Sequence, residues 1–175
     1  MSARVIRWGA TVVGWFTQTI VLSNCMGNPV VHTPEPGLDR VLGTLPGPMT
    51  KINEQPLPSL AAPGQQIDLW VSEHAQAEYL RARPTESGSG IKLPIDTGVV
   101  RAIRDPDGRV TKYTALMQRP PGFNPPSDLW FAVYDSRGEL ARDEGGAPMQ
   151  GALSTCVSCH LTRPDDGFVF GAPES

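Results

Sequence analysis

Cys156-Val157-Ser158-Cys159-His160 is the run in this 175-residue chain whose residue types and spacing can do chemistry. Thiols three positions apart stand about one helical turn from each other. Each S–H can add across a vinyl group, so two of them suit a planar partner with two vinyls. The histidine that follows directly sits beneath the centre of that partner and offers it an imidazole nitrogen. This C-x-x-C-H pattern is the attachment sequence of c-type haem. A disulfide between Cys156 and Cys159 gives His160 no task. A zinc site lacks ligands, because only two distant histidines, His32 and His74, remain. A thioredoxin-like pair expects a βαβ setting, whereas this motif follows a run of strands near the chain end. Cys156 and Cys159 are therefore expected to hold one haem c covalently, with His160 as the axial ligand of its iron.

No Met or His follows His160. A small helical electron-transfer cytochrome places its axial Met downstream, so that architecture is excluded. Met117, Met149 and His74 lie upstream and are the residues that could return to the iron in a plain electron carrier. The economical reading is a five-coordinate haem with an open face, suited to binding or converting a small molecule.

The elements that position this motif read as an α+β fold, mainly an antiparallel β-sheet with a few helices. The haem motif lies on a short carboxy-terminal helix capped by Ser154-Thr155 and ended by Pro164. Ile67, Leu69 and Val71 alternate with Asp68, Trp70 and Ser72, the pattern of a half-buried strand. Residues 73–83 predict a modest helix opened by a surface His74 and stopped by Pro84, and 85–90 a flexible loop. Residues 98–104 and 109–118 form a hairpin about Asp105-Pro106-Asp107-Gly108. The proline-rich stretch 119–126 must loop over the surface or rim a pocket. Residues 129–134 give a further strand. Phe131, Met117 and Arg101 are the candidates for the wall of the distal pocket, and Arg101 or Arg104 for a contact with a haem propionate.

Residues 1–24 carry no acidic group. Arg4 and Arg7 precede a short apolar run that is too broken by Thr and Gln for a membrane span, which describes an export signal. Leu22-Ser23-Asn24-Cys25 resembles the bacterial lipoprotein processing box, which makes Cys25 the lipidation site and places the protein in a Gram-negative periplasm on a lipid anchor. Residues 25–64 are rich in proline and read as a tether or loosely wrapped arm, and 65–175 as the haem-binding domain. The chain holds 18 glycines and 18 prolines, which excludes a helical bundle. Its net charge of −3 argues against a phosphate-neutralising surface, so no nucleic-acid partner is expected.

Over residues 64–171 the order of features resembles the cytochrome P-460 family, which includes the cytochromes c′-β. The segments that carry the resemblance are 67–79, Asp96-Thr-Gly-Val-Val100, Asp128-Leu-Trp-Phe-Ala-Val-Tyr-Asp135, and the haem motif followed by an Asp and an aromatic-rich end. The resemblance implies a pentacoordinate haem c, often a homodimer, and activity toward hydroxylamine or nitric oxide. Hydroxylamine-oxidising members cross-link a lysine to the haem edge from the strand after the D-G-x-V-like segment. Here that strand reads Val99-Val100-Arg101-Ala102-Ile103-Arg104, and Lys92 and Lys112 lie outside it. The cross-link is thus expected to be absent, and the expectation moves to the c′-β side, with a neutral nitrogen oxide such as nitric oxide as ligand. Hydroxylamine or nitric oxide oxidation is the alternative, and either needs a redox partner that the sequence does not identify.

Overall fold

The computed structural model describes residues 35, 37–60, 62–82 and 88–172. The chain divides into the units Met1–Val31 and His32–Ser175. The export segment, Cys25 and His32 lie outside the described residues, as do 83–87, which span the end of the expected helix and the start of the expected loop. No helix among the described residues is long and apolar enough to cross a membrane.

The described residues build one sheet of seven strands, antiparallel throughout, with a few short helices. In chain order the strands are β1 (Met49–Lys51), β2 (Leu57–Pro58), β3 (Gln66–Ser72), β4 (Gly98–Arg104), β5 (Val110–Gln118), β6 (Leu129–Asp135) and β7 (Gln150–Gly151). Their spatial order is β1-β3-β4-β5-β6-β7, with β2 also paired to β3. The β4–β5 hairpin forms as its turn chemistry predicts: Gly108 has φ 81° and donates its N–H to Asp105 O at 3.0 Å. Only glycine takes that backbone region without cost.

Register divides the sheet into two faces. One rung runs Val71–Val99–Leu116–Phe131, the next Leu69–Arg101–Thr114–Val133, and the third Ile67–Ile103–Lys112. These residues share the front face. Trp70, Val100, Ala115 and Ala132 lie opposite one another on the back face, as do Asp68, Ala102, Tyr113 and Tyr134. Each face carries its own apolar cluster.

Two expectations need correction. β3 is buried on both faces, Gln66 excepted, rather than half-buried. Its polar side is satisfied internally: the Asp68 carboxylate receives Lys51 Nζ at 2.8 Å, Arg104 Nε at 2.7 Å and Asn53 Nδ2 at 3.0 Å. Such pairing is what allows a carboxylate to lie under a sheet. The second correction concerns the arm. Its described part is built into the domain, because β1 and β2 pair with β3 while α1 (Leu38–Leu42) and Leu45 cover the back face. Arg104 pairs with Glu35 as well as Asp68 on that face, which removes it as a propionate contact.

The predicted helix over 73–83 is shorter than expected. A 3-10 turn, Glu73–Ala75, leads into α2 (Gln76–Tyr79), which buries Ala75 and Tyr79. His74 is exposed, and its Nε2 lies 3.3 Å from Thr97 Oγ1. The 119–126 loop is held by Asp128, whose Oδ1 accepts from Gly122 N and Asn124 N at 3.0 Å each. Pro121 and Pro126 border a second cavity there.

Candidate functional site

The C-x-x-C-H run lies on α3 (Ser154–His160). Leu153, still in an extended conformation, is the N-cap residue, and its carbonyl accepts from Cys156 N and Val157 N at 2.9 Å each. Ser154 and Thr155 are therefore first-turn residues and not the cap. The helix also ends before Pro164, at His160, and Pro164 instead opens a 3-10 turn, Pro164–Asp166.

α3 packs on the front face, where Leu153, Cys156 and Val157 meet the apolar cluster of Ile67, Val99, Leu116 and Phe131. His160 is buried, with its ring edge-on to Phe131 at 5.0 Å and to Phe170 at 5.2 Å. Its Nδ1 donates to the Phe168 carbonyl at 2.6 Å. A carbonyl can only accept, so Nδ1 carries the proton and Nε2 keeps a lone pair. Burial pushes the imidazole down to about 4; the bond to Phe168 opposes this and the Arg101 guanidinium adds to it. The ring is neutral at ordinary pH, the form in which imidazole binds a metal.

The Phe168 carbonyl owes its place to an unusual backbone. Phe168 has φ 62°, and its own N–H donates to Arg163 O at 2.8 Å. The turn before it is tied down by Asp166, 1% exposed, whose Oδ1 accepts from Gly88 N at 3.1 Å, Ser89 N at 2.7 Å and Ser89 Oγ at 2.6 Å. Burial alone would raise the Asp166 carboxyl, but the Ser89 and Gly88 bonds and the Arg163 guanidinium outweigh it and hold the group below its usual range. A backbone partner of this kind sets both tautomer and ring orientation of a metal-binding histidine.

Between α3 and the sheet lies a cavity of about 310 Å³. Cys156, Cys159 and His160 open onto it from the helix; Val99, Arg101, Ile103, Lys112, Thr114, Leu116 and Phe131 line it from the sheet. Phe170, Gly171, Leu60 and Ser59 also line it, with Ile67, Ala115 and Ala132 of the sheet. The two thiols are unbonded. Burial pushes the Cys156 thiol up, partly offset by the Thr155 hydroxyl. The donor set fits a c-type haem: two free thiols and an imidazole with its Nε2 lone pair available all face one largely apolar space. Among the described residues no three His, Cys, Asp or Glu side chains are grouped to hold a bare metal ion.

Of the three residues expected on the pocket wall, Phe131 and Arg101 line the cavity and Met117 does not. Met117 pairs with Gly98 and Trp130 and packs into the back-face cluster. The parity of β5 explains the difference. Its cavity side is Lys112, Thr114 and Leu116, which in sequence looks like a solvent face, while the apolar Tyr113, Ala115 and Met117 mark the opposite core. Neither His74 nor Met149 lines the cavity. Tyr79 is not singled out by the sequence, and Lys112, outside the strand where a cross-linking lysine is expected, lines the cavity from β5. Tyr79 lies beside Arg101; burial raises its phenol above 10.0 and the guanidinium opposes this, while its hydroxyl donates to Gly171 O at 3.1 Å.

A scan of the chain against protein-family models finds no match, and a search of curated proteins finds none either.

Proposed function

We propose that the protein is an exported mono-haem c-type cytochrome of the cytochrome P-460 and c′-β kind, which binds or converts a small nitrogen oxide such as nitric oxide. One observation carries the reading: Cys156, Cys159 and His160 converge on a single cavity, with His160 Nδ1 already committed to the Phe168 carbonyl.

In this reading α3 presents both thiols to the cofactor edge. Cys156 and Cys159 would hold the cofactor by adding their S–H groups across its two vinyls, an addition that needs no oxidant. His160 would offer Nε2 to the iron, and the Phe168 carbonyl, bonded to Nδ1, keeps the ring from turning. Val99, Leu116, Phe131 and Phe170 exclude water from the reaction space. The haem, when bound, supplies an iron able to take a diatomic ligand and exchange an electron. Met117, Met149 and His74 all stand off the cavity wall, which supports small-molecule binding over a plain electron carrier.

Absorption spectra of the reduced protein with and without carbon monoxide or nitric oxide test the open site. The Soret band shifts on adding either gas; an unchanged spectrum would remove the open position. One observation favours a second reading, hydroxylamine oxidation: Lys112 reaches the cavity from β5, although it stands outside the strand where a cross-linking lysine was sought. A Soret band that stays displaced after denaturation would report that cross-link and shift the assignment.

A further inference from the structure

The charge on the cavity wall is one-sided. Among the described residues that line it, Arg101 and Lys112 carry charge and no carboxylate does. Arg101 stands opposite Thr114 and Lys112 opposite Ile103, so the two cations are diagonal neighbours on adjacent strands, both on the front face. Side chains so placed have origins roughly 7–8 Å apart, within reach of a common anionic group. Neither cation is neutralised by the protein among the described residues. Asp135 lies across from Lys112 on β6, but its carboxylate is taken by Arg137 and by the backbone N–H groups of Arg137 and Glu139. Arg101 has the Tyr79 phenol beside it, which brings no compensating charge at neutral pH. A half-buried guanidinium over apolar walls costs free energy unless an anion arrives.

We infer that Arg101 and Lys112 form a two-cation site for anionic oxygens within the cavity, so that whatever fills this side of it is negatively charged. The inference rests on the haem reading above, with the Lys112 amine free. Two sources have the required chemistry: the propionate carboxylates of the cofactor itself, or a free small oxyanion such as nitrite. A guanidinium and an ammonium contribute charge-assisted hydrogen bonds to either.

The test uses haem-loaded wild type, Arg101→Met, Lys112→Met and the double variant, with Arg101→Lys as the conservative control. Ferric protein is titrated with nitrite, ferrous protein with carbon monoxide, and the propionate bending modes are read by resonance Raman. If the site takes a free oxyanion, nitrite affinity falls about tenfold for each charge removed. Carbon monoxide affinity then stays constant, and Arg101→Lys restores part of the loss. If the site holds the propionates, their bending modes shift in the variants and nitrite affinity is unchanged. Unchanged nitrite affinity together with unchanged propionate modes in the double variant overturns the inference. Should the wild-type protein carry no covalent haem, the haem reading fails separately. The cation pair is then read in the haem-free chain with 8-anilinonaphthalene-1-sulfonate, an apolar anion. Its fluorescence enhancement is lost in the double variant if the site is real, and equal enhancement overturns it.

Discussion

The proposed role of His160 as a ligand needs its Nδ1 proton held, and the holder is the Phe168 carbonyl, two residues beyond the buried Asp166. Asp166 gathers two N–H groups and a hydroxyl from Gly88 and Ser89 onto one oxygen. Asp166→Ala leaves those donors without their acceptor and should cost about 1–3 kcal/mol, measured by urea unfolding at neutral pH. The pH dependence has a definite sign. The folded-state pKa lies below the unfolded value, so the stability that Asp166 contributes is present above pH 3.8 and is lost as pH falls through the folded value. The gap between wild type and Asp166→Ala should therefore narrow on acidification below that point. A gap that widens there would contradict the role assigned to this carboxylate.

At the scale of elements, the arm before β3 is a structural part of the sheet. Gly138, φ 75°, lets the turn after β6 touch the chain just before α1: a Cβ at Gly138 would stand 2.3 Å from Gly37 O. Gly138→Ala should thus cost about 1–3 kcal/mol through strain at a positive φ and through the clash, and should make the 37–60 arm more sensitive to proteases. Thermal melts with limited proteolysis check both. That arm is also where the sequence is hardest to read. The β4–β5 hairpin is legible because its turn residues and its alternation are local. β1 and β2 are short and proline-flanked, and they owe their order to β3 partners further along the chain. β5 misleads for a different reason. The cavity side of β5 carries the exposed Lys112 and the half-buried Thr114, so apolar alternation points to the other side and selects Met117. The convergence of Cys156, Cys159 and His160 is legible because they lie within five residues of one helix, while the left-handed Phe168 that holds His160 leaves no local signal.

For the molecule as a whole, a proposed export segment precedes a sheet that carries its cavity on one face. Cys25 is the proposed lipid attachment point. Cys25→Ser should move the protein from the membrane fraction to the soluble fraction of a Gram-negative host, without changing the spectrum of the domain; retention at the membrane would contradict lipidation at this residue. Front and back faces then have separate tasks. The back face is closed by α1 and by the ion pairs of Asp68, and the front face is left open between α3 and the strands.

The central claim, that this cavity holds a covalently attached haem, is tested most directly by the pyridine haemochrome of protein produced in a host that matures c-type cytochromes. Wild type should retain haem on the polypeptide through denaturation and acid–acetone extraction, and the Cys156→Ala, Cys159→Ala double variant should lose it. Folded wild-type protein from which all haem is extracted, or which carries none, would contradict the account.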